Sequence, residues 1–113
     1  MGKSSQAKGR RGEREFAAAM RSYGFPNVSA APPMNYGTVP DVVGLPGIHC
    51  EIKRVERLNV LQAMQQAIRD AEKFQDGLPV VFHRRNKAEW LCTMRLADWL
   101  TLYRAFNRSK ITM

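Results

Sequence analysis

Pro40-Asp41-Val42-Val43-Gly44-Leu45-Pro46-Gly47-Ile48-His49-Cys50-Glu51-Ile52-Lys53-Arg54-Val55 sets the main expectations for this chain. Asp41 to Leu45 and Ile48 to Val55 are runs rich in β-branched residues, separated by Pro46-Gly47, which is turn chemistry, so the expectation is a hairpin. In a strand successive side chains alternate between faces, which puts Glu51 and Lys53 together and sends Cys50 and Ile52 into the core. Asp41 opens the preceding strand, and pairing through the turn would bring its carboxylate toward Glu51. Carboxylates held close repel unless a cation lies between them, and oxygen ligands suit a hard divalent ion such as Mg²⁺ or Mn²⁺.

Working outward, Arg10 to Ser22 carries Phe16, Ala17 and Met20 at helical spacing, with Gly24 where a helix end is expected. Glu13 shares that stripe at spacings of three, four and seven, so it should face inward, where a carboxylate needs a cation or a polar site beneath it. The alternative for Glu13 is an acid near a helix N-terminus, favoured by the macrodipole. Residues 1–9 are Gly, Ser, Gln and Lys with little to bury, and read as a mobile basic arm before a single domain over 10–113. Pro26, Pro32, Pro33, Gly37 and Pro40 exclude a long helix and leave a short strand near Val28 to Ala30 and a loop with its tip at Met34 to Thr38.

On the C-terminal side, Asn59 with Gln62 is a capping-box variant opening a helix whose expected apolar stripe is Leu61, Met64, Ile68 and Ala71, stopped by Gly77 and Pro79. Val80 to Arg84 and Trp90 to Met94 read as strands joined by Arg85 to Glu89. Leu96, Trp99, Leu100 and Tyr103 recur as a closing helix, and Trp90, Trp99 and Tyr103 are expected in the core. The expected fold is α/β: a central mixed sheet of about five strands flanked by helices, in the order αβββαββα.

Eighteen Lys and Arg against ten Asp and Glu give a net charge of +8, which points to a polyanionic partner, nucleic acid first. The basic residues gather at Lys3, Lys8, Arg10, Arg11 and Arg14, at Arg84, Arg85 and Lys87, and at Arg104, Arg108 and Lys110. No apolar run approaches the roughly 20 residues of a membrane span, so no membrane is expected, and Cys50 and Cys92 lie in apolar segments, as buried free thiols in a reducing cytoplasm would.

Pro40-Asp41 followed by Glu51-Ile52-Lys53 resembles the signature of the PD-(D/E)XK nucleases, and Gly9-Arg10-Arg11-Gly12-Glu13-Arg14-Glu15-Phe16 resembles the opening helix of the archaeal and phage Holliday junction resolvase branch. The expected element order over Arg10 to about Met94 is similar to that family's restriction-endonuclease-like core. The resemblance implies a divalent-metal-dependent DNA endonuclease that leaves 5′-phosphate and 3′-hydroxyl ends. Asp41, Glu51 and the Ile52 carbonyl would hold Mg²⁺ or Mn²⁺, Glu13 would reach it directly or through water, and Lys53 would orient or deprotonate the attacking water. Related nucleases place a polar residue near the metal from the following helix. Gln65 borders the expected stripe and is the choice here over Gln66, with a solvated glutamine as its alternative. His49 shares the Glu51 face, either to approach phosphate or as a satisfied strand histidine. Lys8, Arg10, Arg11, Arg14, Asn35, Tyr36, Arg84 and Arg85 are the expected DNA contacts, to backbone more than to bases. The loop Ala30 to Gly37 departs from the archaeal resolvases, whose serine has no counterpart there, and resembles the approach to the aspartate in VRR-type nucleases. The expected partner is branched or duplex DNA, cut by a homodimer because paired cuts need two sites, in the host cytoplasm for a phage-encoded enzyme. The competing reading is a basic DNA-binding module without catalysis.

Overall fold

The computed structural model describes the backbone of residues 2–35 and 37–112 and the side chains of 9–35 and 37–110. Its elements are α1 (Gly2–Ser22), β1 (Ser29–Ala30), a 3-10 turn (Pro33–Asn35), β2 (Val42–Val43), β3 (Gly47–Arg54), α2 (Val60–Phe74), β4 (Gly77–Arg84), β5 (Leu91–Met94) and α3 (Leu96–Thr112). The chain is thus mixed α/β, with three helices and five strands among the described residues.

The strands do not form one sheet. β3 pairs with β4 in parallel and β4 with β5 antiparallel, giving the order β3-β4-β5, while β1 and β2 make a separate antiparallel pair. The expected hairpin of β2 on β3 is therefore corrected, although Pro46-Gly47 does turn the chain and Ile48 N–H donates to the Leu45 carbonyl at 3.1 Å. The reason lies at Gly44. Its φ of +109° takes the backbone out of the strand after Val43, and a Cβ there would lie 2.1 Å from the Asn27 carbonyl oxygen. Only glycine allows that approach, which commits β2 to β1.

α1 begins at Gly2 rather than at Arg10, because Gln, Ala, Lys and Arg propagate a helix without needing to bury anything. Its inner face presents Phe16 and Ala17 to Val28, Val42 and Cys50, with Met20, Ile48, Ile52, Phe82 and Trp90 packed around them. Phe16 lies 4.6 Å from the Phe82 ring and meets Trp90 edge-on at 5.4 Å, so Trp90 joins the core as expected. One turn earlier α1 crosses β3 so closely that a Cβ on Gly12 would lie 2.7 Å from the Arg54 Cβ.

α2 covers the other sheet face. Asn59 caps it, accepting from Gln62 N–H at 3.1 Å, and it ends at Gln75 in the left-handed conformation, so Gly77 and Pro79 belong to β4 and do not stop the helix. Its buried residues are Ala63, Ala67 and Ala71, and Ala63 and Ala67 pack with Val81, whereas Leu61 is 74 % exposed. The buried face is therefore rotated by part of a turn from the expected stripe: small alanines let the helix lie close to the sheet, which large apolar side chains would prevent. α3 departs furthest from expectation. Trp99 and Tyr103 are 47 % and 46 % exposed rather than core. Cys92 is exposed rather than buried. Among the described residues no helix is long and apolar enough to cross a membrane.

Candidate active site

β3 sorts its side chains by parity. Cys50 joins the α1 core, while Glu51 and Lys53 face α2 with His49. On that face His49 is 2 % exposed and Glu51 6 % exposed, and buried polar groups of this kind need partners. They have them. His49 Nδ1 lies 3.0 and 2.9 Å from the Asp76 carboxylate oxygens and Nε2 lies 3.4 Å from Glu51 Oε1. Glu51 Oε2 is 3.7 Å from Lys53 Nζ, which donates to Gln66 Oε1 at 2.8 Å. The result is a continuous polar row, Asp76, His49, Glu51, Lys53, Gln66, laid along one strand and closed by α2.

Asp70 completes the arrangement from α2. One ligand atom each of His49, Glu51 and Asp70 lies within 4.8 Å of the other two, and this is the group able to share an ion among the described residues. Two ligands about 2.0–2.2 Å from one ion lie at most about 4.4 Å apart, so the three atoms are gathered on the scale of a single coordination sphere. The donor set fits a divalent cation: two carboxylates and an imidazole suit Mn²⁺ or Zn²⁺ at least as well as Mg²⁺. Asp76 adds the outer partner that metal-binding histidines usually have. By accepting from Nδ1–H it leaves Nε2 free to act as a ligand on the Glu51 side.

Burial works against a charged His49, but its hydrogen bonds to Glu51 and Asp76, with their negative charges, outweigh that and raise its pKa above 6.5. The raised pKa favours positive charge on His49 at one Glu51 oxygen, and the Lys53 amine lies at the other. Burial and the Asp76 charge push the Cys50 thiol up to about 12, so it is an inert core residue, while burial lowers the pKa of His83, whose Nε2 lies 3.0 Å from Thr93 Oγ1.

Other expected site residues lie elsewhere. Asp41 is exposed just before β2, its carbonyl accepting from Ala31 N–H at 2.8 Å, and neither it nor Glu13, half-buried on α1, is in the ion-sharing group. Ile52 packs toward α1. Gln65 is exposed, and Gln66 is the glutamine that reaches the site, a correction that follows from the rotated face of α2. Asp70 and Gln66 lie one residue before Ala71 and Ala67, so the alanine spacing of four was the signal for both.

Of the expected DNA contacts, Arg11, Arg14 and Arg85 are exposed, and Arg10 and Asn35 are half-buried. Arg84 shares Glu15 with Arg54 and so spends part of its charge internally. The side chain of Lys8, and Tyr36, lie outside the described residues. A groove beside the site, which the sequence pattern did not disclose, is lined by Lys53, Arg57, Asn59, Gln62, Gln66 and Arg69 and places cations along the approach to Lys53. Comparisons with family models, with curated proteins and with solved structures return no match.

Proposed function

We propose that this chain is a divalent-metal-dependent DNA endonuclease of the PD-(D/E)XK kind, built on a restriction-endonuclease-like core and selective for DNA structure, branched DNA above all. The observation that carries the reading is the placement of Glu51 and Lys53 side by side on a strand, with a buried carboxylate and an amine oriented by Gln66 at the end of a cationic groove. A purely structural ion pair has no need of His49 and Asp70 converging on the same carboxylate.

Bound by Glu51, His49 and Asp70, an ion such as Mn²⁺ or Mg²⁺ would supply Lewis-acid charge to the scissile phosphate. The chain's own residues do the rest. Lys53 presents its ammonium to the phosphate and steadies the charge that develops there, with Gln66 fixing its direction. Arg57 and Arg69 hold neighbouring phosphates, and the exposed Arg11, Arg14 and Arg85 add sequence-independent attraction. Asp41 and Glu13 enter through the family resemblance, as carboxylates that would join the ion from the loop and from α1.

Purified protein incubated with four-way junctions, flaps, duplex and single strands, in Mg²⁺ or Mn²⁺ and in EDTA, tests this. Metal-dependent cutting with 5′-phosphate ends is expected, and Glu51→Gln and Lys53→Met should lose about a thousandfold in rate while still binding DNA. Wild type that binds but never cuts would leave the basic DNA-binding module as the function. Full activity in Asp41→Ala would remove the family assignment.

A further inference from the structure

α3 carries a row of aromatic rings that the rest of the described chain leaves in water. Every residue of 101–110 is exposed. Trp99, Tyr103, Phe106 and Lys110 follow at spacings of four, three and four, so they share one face of the helix. Trp99 and Tyr103 are about half-exposed and Phe106 is 58 % exposed. The rings hold one another: Trp99 and Tyr103 stack at 5.2 Å with 9° between their planes, and Tyr103 continues to Phe106 at 6.2 Å. Lys110 Nζ lies over the Phe106 ring, 5.6 Å from its centre, so a cation closes the row. The surroundings are basic. α3 carries Arg104, Arg108 and Lys110 against one carboxylate, Asp98, to which Arg95 Nε donates at 2.9 Å.

We infer that α3 is a binding surface for single-stranded DNA, whose unpaired bases stack on Trp99, Tyr103 and Phe106 while Lys110 and Arg104 meet the phosphates. Stacking on rings and cations along the backbone are the two components by which proteins hold a single strand without reading its sequence. Sizes agree. Trp99 to Phe106 is a rise of about 10 Å along the helix, and three nucleotides at about 3.4 Å each cover the same length. Rings that already support one another lose little freedom when a base arrives.

Duplex DNA does not suit this face, because both faces of every base are taken up in its own stack. An anionic membrane is the rival occupant, since α3 is amphipathic and basic. A helix lying in a membrane surface keeps its charges off the apolar face, whereas Lys110 stands on the line of the rings. The surface is separate from the polar row on β3 and α2 and stands whether or not that row cuts DNA; only the choice of DNA over RNA rests on the proposed function.

The test is fluorescence anisotropy of a labelled oligothymidylate of about 12 nucleotides, within the site sizes that single-strand binders cover, with the full chain in EDTA so that no cutting intervenes. Trp99→Leu and Tyr103→Leu keep apolar bulk and remove the π-face. Each should weaken oligothymidylate binding about 10- to 100-fold and leave the affinity for a duplex of equal length unchanged. Phe106→Leu, in the wholly exposed part of the helix, repeats the test where packing plays no part. Tyr103→Phe keeps the ring and should bind as wild type does. Lys110→Gln should lower the slope of log affinity against log salt by about 0.7. Leucine variants that hold the oligomer as wild type does, or that lose duplex affinity equally, overturn the inference. So does a wild type that binds oligouridylate but not oligothymidylate, or one that ignores both and sediments with anionic phospholipid vesicles. Metal-dependent cutting is read in a separate assay, so failure of either result leaves the other standing.

Discussion

Replacing Asp76 by Asn probes the candidate ion site without touching its three candidate ligands, His49, Glu51 and Asp70. Asp76 holds His49 through Nδ1 at 3.0 and 2.9 Å, which fixes the direction of the ring and leaves Nε2 facing Glu51 at 3.4 Å, where it could bind an ion once deprotonated. Asparagine can still accept from Nδ1–H, so the ring keeps its direction, but the negative charge that makes Nε2 a better donor is gone. Loss of such an outer partner weakens metal binding about 10- to 100-fold, roughly 1.4–2.7 kcal/mol, and Asn belongs at the lower end with Asp76→Leu at the upper. The assay is calorimetric titration of the metal-free protein with Mn²⁺ at neutral pH, run in buffers of different ionisation enthalpy to count protons. Binding should release a proton from His49, whose raised pKa keeps it partly charged, and the release should vanish in His49→Gln. Asp70→Asn should weaken binding at least as much as Asp76→Asn. Unchanged affinity in Asp76→Asn and Asp70→Asn, with a large loss in Asp41→Asn, would refute this and move the ion to the loop carboxylate.

Other outcomes follow from single contacts. Gly12→Val should destabilise the chain by about 1–3 kcal/mol in urea unfolding, because a Cβ already meets Arg54 at 2.7 Å, while Gly9→Ala, with nothing within 4 Å, should stabilise by about 0.5–1 kcal/mol. In EDTA, the stability that His49 contributes through its raised pKa should be complete below pH 6.5 and fall away as pH rises through the folded-state value; the fall should be absent in His49→Gln. Native protein should expose one thiol to a disulfide reagent, Cys92, and Cys50 should react only on unfolding, since burial and the Asp76 charge push its pKa up to about 12.

What was legible in the sequence was whatever depends on neighbours along the chain. Alternation put Glu51 and Lys53 on one face, the Asn59 cap opened α2 where expected, and the polar turn after Arg84 joined β4 to an antiparallel β5. The misplacements came from contacts between distant segments. Val42-Val43 pairs with Ser29-Ala30 because Gly44 lies against Asn27, a relation no local pattern records. α2 could be phased by its large residues or by its alanines, and the close approach of the helix to β3 and β4 decided for the alanines, which exchanged Gln65 for Gln66 and brought in Asp70. Trp99 and Tyr103 show the same limit of local pattern: their periodicity matches a core helix, yet both stand about half-exposed.

The polar row also explains how so charged a cluster can be buried in the folded chain. Glu51 is 6 % exposed beside Asp70 and near Asp76, an arrangement that repulsion and desolvation together would break if each carboxylate stood alone. The raised pKa of His49 favours positive charge at one Glu51 oxygen, and Lys53 lies at the other. Under the proposed function, Glu51, Asp70 and His49 would hold a divalent ion that would supply positive charge between the carboxylates, with His49 serving as a neutral ligand. Metal affinity should then rise with pH until His49 is neutral. Lys53, beside the other Glu51 oxygen, is outside that ligand set. Gln66 holds it at the mouth of the groove, where its charge is available to a phosphate rather than consumed by the carboxylates.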